Sequence, residues 1–158
     1  MKYLLFAALF MQVAFLSPKY HIKRVWLFSK TQYAGNVPAL RGGQQPAGHT
    51  TTLLCFLEVS RGEKIPDWQW AWFKGNKYQV SMSPASQDSV AVGTKKNTND
   101  IALAKAGAGC KLVELTLTLT GKDSVKQEGF LLEGMFNKQP ARLRSDEAAV
   151  ELSAPLMP

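Results

Sequence analysis

Apolar and polar residues alternate with a period of two over several stretches of the chain. In residues 111–120, Val113, Leu115, Leu117 and Leu119 share one face, and Thr116, Thr118 and Thr120 share the other. This predicts a strand with a buried apolar face and a solvated threonine face. Residues 51–59 carry apolar side chains on both faces, with Leu53, Cys55, Leu57 and Val59 on one and Leu54 and Phe56 on the other. A central strand covered on each side is expected there. Further strands are predicted at 21–29, 89–92, 129–136, 140–144 and 149–154, separated by turns rich in Gly, Asn, Asp, Ser and Pro. Residues 101–106 alternate like a strand, yet their alanines after Asn99-Asp100 would also start a short helix; residues 146–152 carry a similar ambiguity.

The most informative stretch is 66–82, where Trp68, Trp70 and Trp72 stand two apart. In an extended strand all three project from one face. Gly75-Asn76 then suggests a turn, and residues 78–82 form the second arm of a β-hairpin. A two-residue turn at Gly75-Asn76 pairs Phe73 with Tyr78 and leaves the tryptophans among Gln79, Ser81 and Ser83, as an exposed aromatic platform. A three-residue loop, Gly75-Asn76-Lys77, moves each pair by one, sets Trp72 against Val80 and Trp70 against Met82, and puts the indoles in the core. Hydrophobic sorting favours the core register, since a buried indole contributes about 2–3 kcal/mol. A mixed arrangement leaves Trp68 partly exposed near a strand end.

The whole pattern indicates an all-β fold. We expect a small antiparallel β-sandwich of immunoglobulin-like architecture or a partly open barrel, with about eight strands and at most one or two short helices. A length of 158 residues suits one domain with one sizeable core. Residues 1–17 read as an export signal, because Lys2 precedes an apolar run too short to span a bilayer comfortably. The single β-domain then occupies 18–158, with no membrane-spanning segment once the signal is removed. A loop at 31–50 contains Gly35, Gly42, Gly43, Gly48, Pro38 and Pro46, and brings Arg41 and His49 as candidate anion contacts. An exported chain with two cysteines is expected to join Cys55 to Cys110 in a disulfide. The order Cys55, Trp68, Cys110 resembles that of immunoglobulin domains, but Ala108 stands where that family has a tyrosine, and the resemblance implies no function.

Formal charge is +7, and residues 1–80 carry all of it, with ten Lys or Arg against three acids. The cations are scattered singly, with Lys23-Arg24 and Lys95-Lys96 the only adjacent pairs, which argues for solvated surface and against nucleic acid as a partner. No catalytic motif, phosphate loop or metal-ligand spacing occurs, and no cofactor is called for. The expected function is therefore non-catalytic: an exported domain of the cell envelope, periplasmic or cell-surface, that recognises a protein or glycan. Trp68, Trp70, Trp72 and Tyr78 are its candidate contacts, with Arg41 and His49. An inhibitor that blocks an enzyme cleft with its long loop is the alternative, and an enzyme with a spatially assembled site is a third.

Overall fold

The computed structural model describes residues 19–33, 49–122 and 129–153. The export signal expected at 1–17 and the candidate Arg41 lie outside these residues. The described residues form ten strands: β1 (Ile22–Tyr33), β2 (His49–Ser60), β3 (Asp67–Phe73), β4 (Asn76–Pro84), β5 (Ser89–Thr94), β6 (Ile101–Lys105), β7 (Cys110–Lys122), β8 (Phe130–Phe136), β9 (Gln139–Ser145) and β10 (Val150–Leu152). Among the described residues there is no helix, so both ambiguous stretches resolve towards extended chain: 101–105 is strand, and 150–152 is a short one.

Eight strands form one sheet in the order β10-β1-β2-β7-β4-β3-β8-β9, and β5 pairs with β6 as a separate ribbon. All neighbours in the large sheet are antiparallel except β1 and β10. The sheet curls into a half-barrel, the partly open form of the expected fold. Tyr20 helps hold the curl. Its hydroxyl donates to the carbonyl of Arg142 and accepts from the Arg142 amide at 3.1 Å, so the chain ahead of β1 is tied to β9 at the far side. The Tyr20 ring meets Trp68 and Phe136 edge-on at 5.6 and 5.5 Å.

The concave face holds the main core. Leu53, Cys55, Leu57 and Val59 of β2 meet Leu115, Val80, Ala71, Phe130 and Leu132 there. A second core lies on the convex face under the β5–β6 ribbon, where Phe28, Phe56 and Leu112 pack against Ala102, Ala104 and Ala106. Ala102 and Ala104 are completely buried. The small side chains of β6 let the ribbon sit close to the phenylalanine rings, which is why this alanine-rich stretch serves as a strand. β2 is thus covered on both faces, as its pattern predicts.

The cysteines do not form the expected disulfide. Cys55 lies in the concave core, while Cys110 lies in the convex one, and both are free. Cys110 pairs with Ser60, five residues along β2 from Cys55. At about 3.4 Å per residue the separation is about 17 Å, across opposite faces of the sheet, far beyond disulfide reach. Trp68 therefore packs in the core without a cystine beside it.

The predicted 31–50 loop is shorter than expected at each end. Residues 31–33 continue β1 and pair with 49–51 of β2, where His49 stands opposite Tyr33.

Candidate functional site

The β3–β4 turn adopts neither register read from the sequence. Phe73 pairs with Asn76, so the two turn residues are Lys74 and Gly75, with φ of 49° and 73°. Two positive φ values in succession mark a type I′ turn, whose twist matches the flanking strands. This register sets Ala71 opposite Tyr78 and so leaves room for the phenol ring in the concave core. Burial raises the Tyr78 pKa, while a hydrogen bond with the Asn76 side chain acts against the rise. The same register sets Trp72 opposite Lys77 and Trp70 opposite Gln79.

A β-bulge then separates the three tryptophans. On β3, Trp68 pairs with Gly134 and Trp70 with the adjacent Glu133, so Gln69 is the extra residue. The bulge turns Trp68 inward, where it is 1% exposed, while Trp70 and Trp72 point outward and are half-buried. The mixed arrangement is therefore realised with the roles exchanged, since Trp68 is the buried member. Gly134 makes the bulge possible, because a Cβ there would stand 2.1 Å from the Asp67 carbonyl oxygen and 2.8 Å from the Trp68 Cα.

Among the described residues, no ribbon lies over this half of the sheet on the convex face. Cross-strand pairing lays out two rows. One runs Arg142, Glu133, Trp70, Gln79, Thr118; the other runs Arg144, Leu131, Trp72, Lys77. The Lys77 ammonium lies over both indoles, 4.1 Å from the Trp70 ring centroid and 5.5 Å from that of Trp72. Such contacts contribute about 0.5–1 kcal/mol at exposed sites. Arg142 pairs with Glu133 at 2.7 Å, and Arg144 with Asp146 at 3.1 Å. Beside Trp70 the bulge leaves a depression of about 180 Å³ lined by Gln69, Glu133, Pro140 and Arg142.

Of the described residues chosen from sequence, only Trp70 and Trp72 meet on this open face. Trp68 and Tyr78 belong to the core, and His49 opens β2. Sequence reading passed over Lys77, Glu133, Arg142 and Arg144. Their signal is period-two spacing on β8 and β9, which gains meaning only once those strands are known to flank β3.

Among the described residues no group of three or more His, Cys, Asp or Glu is placed to hold a metal ion. Burial pushes the Cys55 thiol up, so it stays protonated and is a poor nucleophile. Among the described residues no helix is long and apolar enough to cross a membrane, which leaves strand-built spans aside. The chain matches no protein-family model, no curated protein and no solved structure.

Proposed function

We propose that this chain is a non-catalytic exported binding domain of the cell envelope that recognises an acidic surface of a partner protein through its open convex face. The observation that carries the reading is the position of Lys77. Its ammonium covers the faces of Trp70 and Trp72 that a sugar ring would otherwise stack upon, so the site presents charge over an aromatic floor. Arg142 and Arg144 stand in the same two rows as the indoles and are ion-paired with Glu133 and Asp146, so the positive charge that the face presents is centred on Lys77. Large aromatic surface beneath cations suits protein interfaces, where Trp and Arg dominate binding energy. A stacked glycan would first have to displace the lysine.

The end of β1 and the start of β2 lie at the same end of the sheet as the β3–β4 turn. Leu54 pairs with Thr116, and Asn76 with Lys122, so the start of β2 and the start of β4 share that end. Arg41, a candidate from the sequence alone, is a further contact in this proposal. Export follows from residues 1–17.

The test compares two baits immobilised in envelope extract, the natural protein and a double variant, Lys77→Glu with Arg144→Glu. The natural bait is expected to retain a partner that elutes with salt, and the variant to lose it while melting at nearly the same temperature. A partner held equally by both baits would overturn the assignment of the face. Binding of the natural protein to neutral glycans on an array, undiminished by Lys77→Glu, would replace the protein partner with a sugar.

A further inference from the structure

The edge of β1 carries a second feature, independent of the open β3–β4 face. β1 has β2 on one side along its whole length, but on the other side β10 pairs only with Phe28, Ser29 and Lys30. Among the described residues no strand pairs with residues 22–27 on that side. Two adjoining depressions that share Trp26, of about 380 and 470 Å³, lie at this edge and over the convex face beside it. Between them they are lined by every β1 residue from Lys23 to Phe28. Successive strand residues point to opposite faces of a sheet. The four successive residues Val25 to Phe28 set the first depression along the strand's edge, beside its backbone amides and carbonyls, whereas Arg24, Trp26 and Glu58 share the convex face and set the second over that face, next to the edge.

The wall opposite belongs largely to β6, whose inward residues are the buried alanines. Its outward residues, Ile101 and Leu103, are 66% and 44% exposed, and Val150 at the β10 end of the groove is 37% exposed. These apolar side chains line the half of the groove next to β10. The other half is polar and positively charged, with Lys23, Arg24 and Lys105 around Glu58. One Glu58 oxygen accepts the Gly107 amide at 2.9 Å.

We infer that this groove takes an extended segment of a partner protein, added as a strand to the bare edge of β1, with alternate apolar residues in the Ile101–Leu103 half and carboxylates in the Lys23–Arg24–Lys105 half. Three observations select this occupant. An unpaired edge offers a row of backbone donors and acceptors that only another extended chain satisfies in sequence. The same edge already holds a strand, β10, at the next three residues, Phe28, Ser29 and Lys30. The charge asymmetry excludes a uniformly apolar or a basic segment, since three cations of the polar half face one carboxylate that is already engaged. Residues 22–27 at about 3.3 Å each give about 20 Å of edge, enough for a segment of about six residues.

Fluorescence polarisation with labelled peptides of about ten residues tests this. One peptide begins with two glutamates and continues with alternate valines, and a second has the reverse order. The tighter of the two is then made in two N-methylated forms, each blocking alternate backbone amides. Saturable binding is expected from the parent. A loss of about tenfold or more is expected from one N-methylated form and little change from the other, because a strand turns alternate amides towards its neighbour. Leu103→Asp should weaken binding to a similar extent, and Lys105→Glu should remove the preference for glutamate over lysine at the charged end. Circular dichroism and melting confirm that each variant is folded, with Ile101→Asp as the substitute for Leu103→Asp. Lys77→Glu should leave the peptide affinity unchanged, which separates this groove from the β3–β4 face. No saturable binding by either order up to millimolar concentration would overturn the inference, as would equal binding of both N-methylated forms. A concentration-dependent dimer abolished by Leu103→Asp would also overturn it, by assigning the edge to a second copy of the chain.

Discussion

Around β2 the sheet is buried on both faces, and around β3 it is buried on one. The concave side is the same in both regions, a continuous layer from Leu57 and Cys55 across to Phe73 and Phe130. The convex side differs. Over β1, β2 and β7 the exposed surface would be Phe28, Phe56 and Leu112, which have no polar atoms to offer water, and the β5–β6 ribbon covers them. Over β3 and β8 the corresponding positions hold Trp70, Trp72 and Glu133, with Lys77 drawn across the indoles. Aliphatic stems and charged heads of neighbouring residues do there what a ribbon does elsewhere. An indole partly shaded by a lysine tolerates an open face; a phenylalanine pair needs a second layer.

This contrast can be broken by mutation, beginning with the tryptophans. Trp68→Ala empties the concave core and is expected to cost about 3–5 kcal/mol in urea denaturation, whereas Trp72→Ala on the open face should cost about 1 kcal/mol. Equal losses would show that the two faces of β3 are alike. A smaller effect is expected under the ribbon. Ala104→Leu forces extra volume between β6 and the Phe28–Phe56 pair and should destabilise by about 1–3 kcal/mol, with hydrogen exchange rising first in β5 and β6. If exchange rises evenly over all strands, the ribbon is not a separable layer.

The third effect is a slope with pH. The Cys55 thiol ordinarily ionises at 9.0, and burial raises that value in the folded protein. A raised native pKa means that the stabilisation is complete below 9.0 and is lost as pH climbs, by about 1.4 kcal/mol per pH unit. Between pH 9.0 and 10.0 the thiol acts before Tyr78, whose ordinary value is 10.0 and which burial also raises. Cys55→Val should flatten the stability profile in that interval by about one proton. An unaltered profile would place the thiol in contact with water and remove β2 from the two-sided class.

Much of the architecture is legible in the order of residues. The alternation of 111–120, the two-sided run at 51–59 and the turn residues between them specify an all-β chain, because side chains on a pleated strand must alternate and the apolar set must be hidden. The same reading sees that three closely spaced indoles are unusual. It cannot sort them, since a strict period of two puts all three together.

The sorting comes from the neighbours in space. The bulge at Gln69 exists because Gly134 on β8 lets the Asp67–Trp68 backbone approach, and nothing near residue 68 in the chain announces a glycine at 134. The turn falls on Lys74-Gly75 because that register fits Ala71 beside the Tyr78 ring and Lys77 over the indoles. The cysteines part because they stand an odd number of positions apart in register along paired strands, which sends them to opposite faces. Local composition determined which segments are strands and which of their faces are apolar. Pairing, bulge and curvature decided which apolar face is covered and which stays half-exposed among the described residues, because these depend on contacts between residues far apart in the chain.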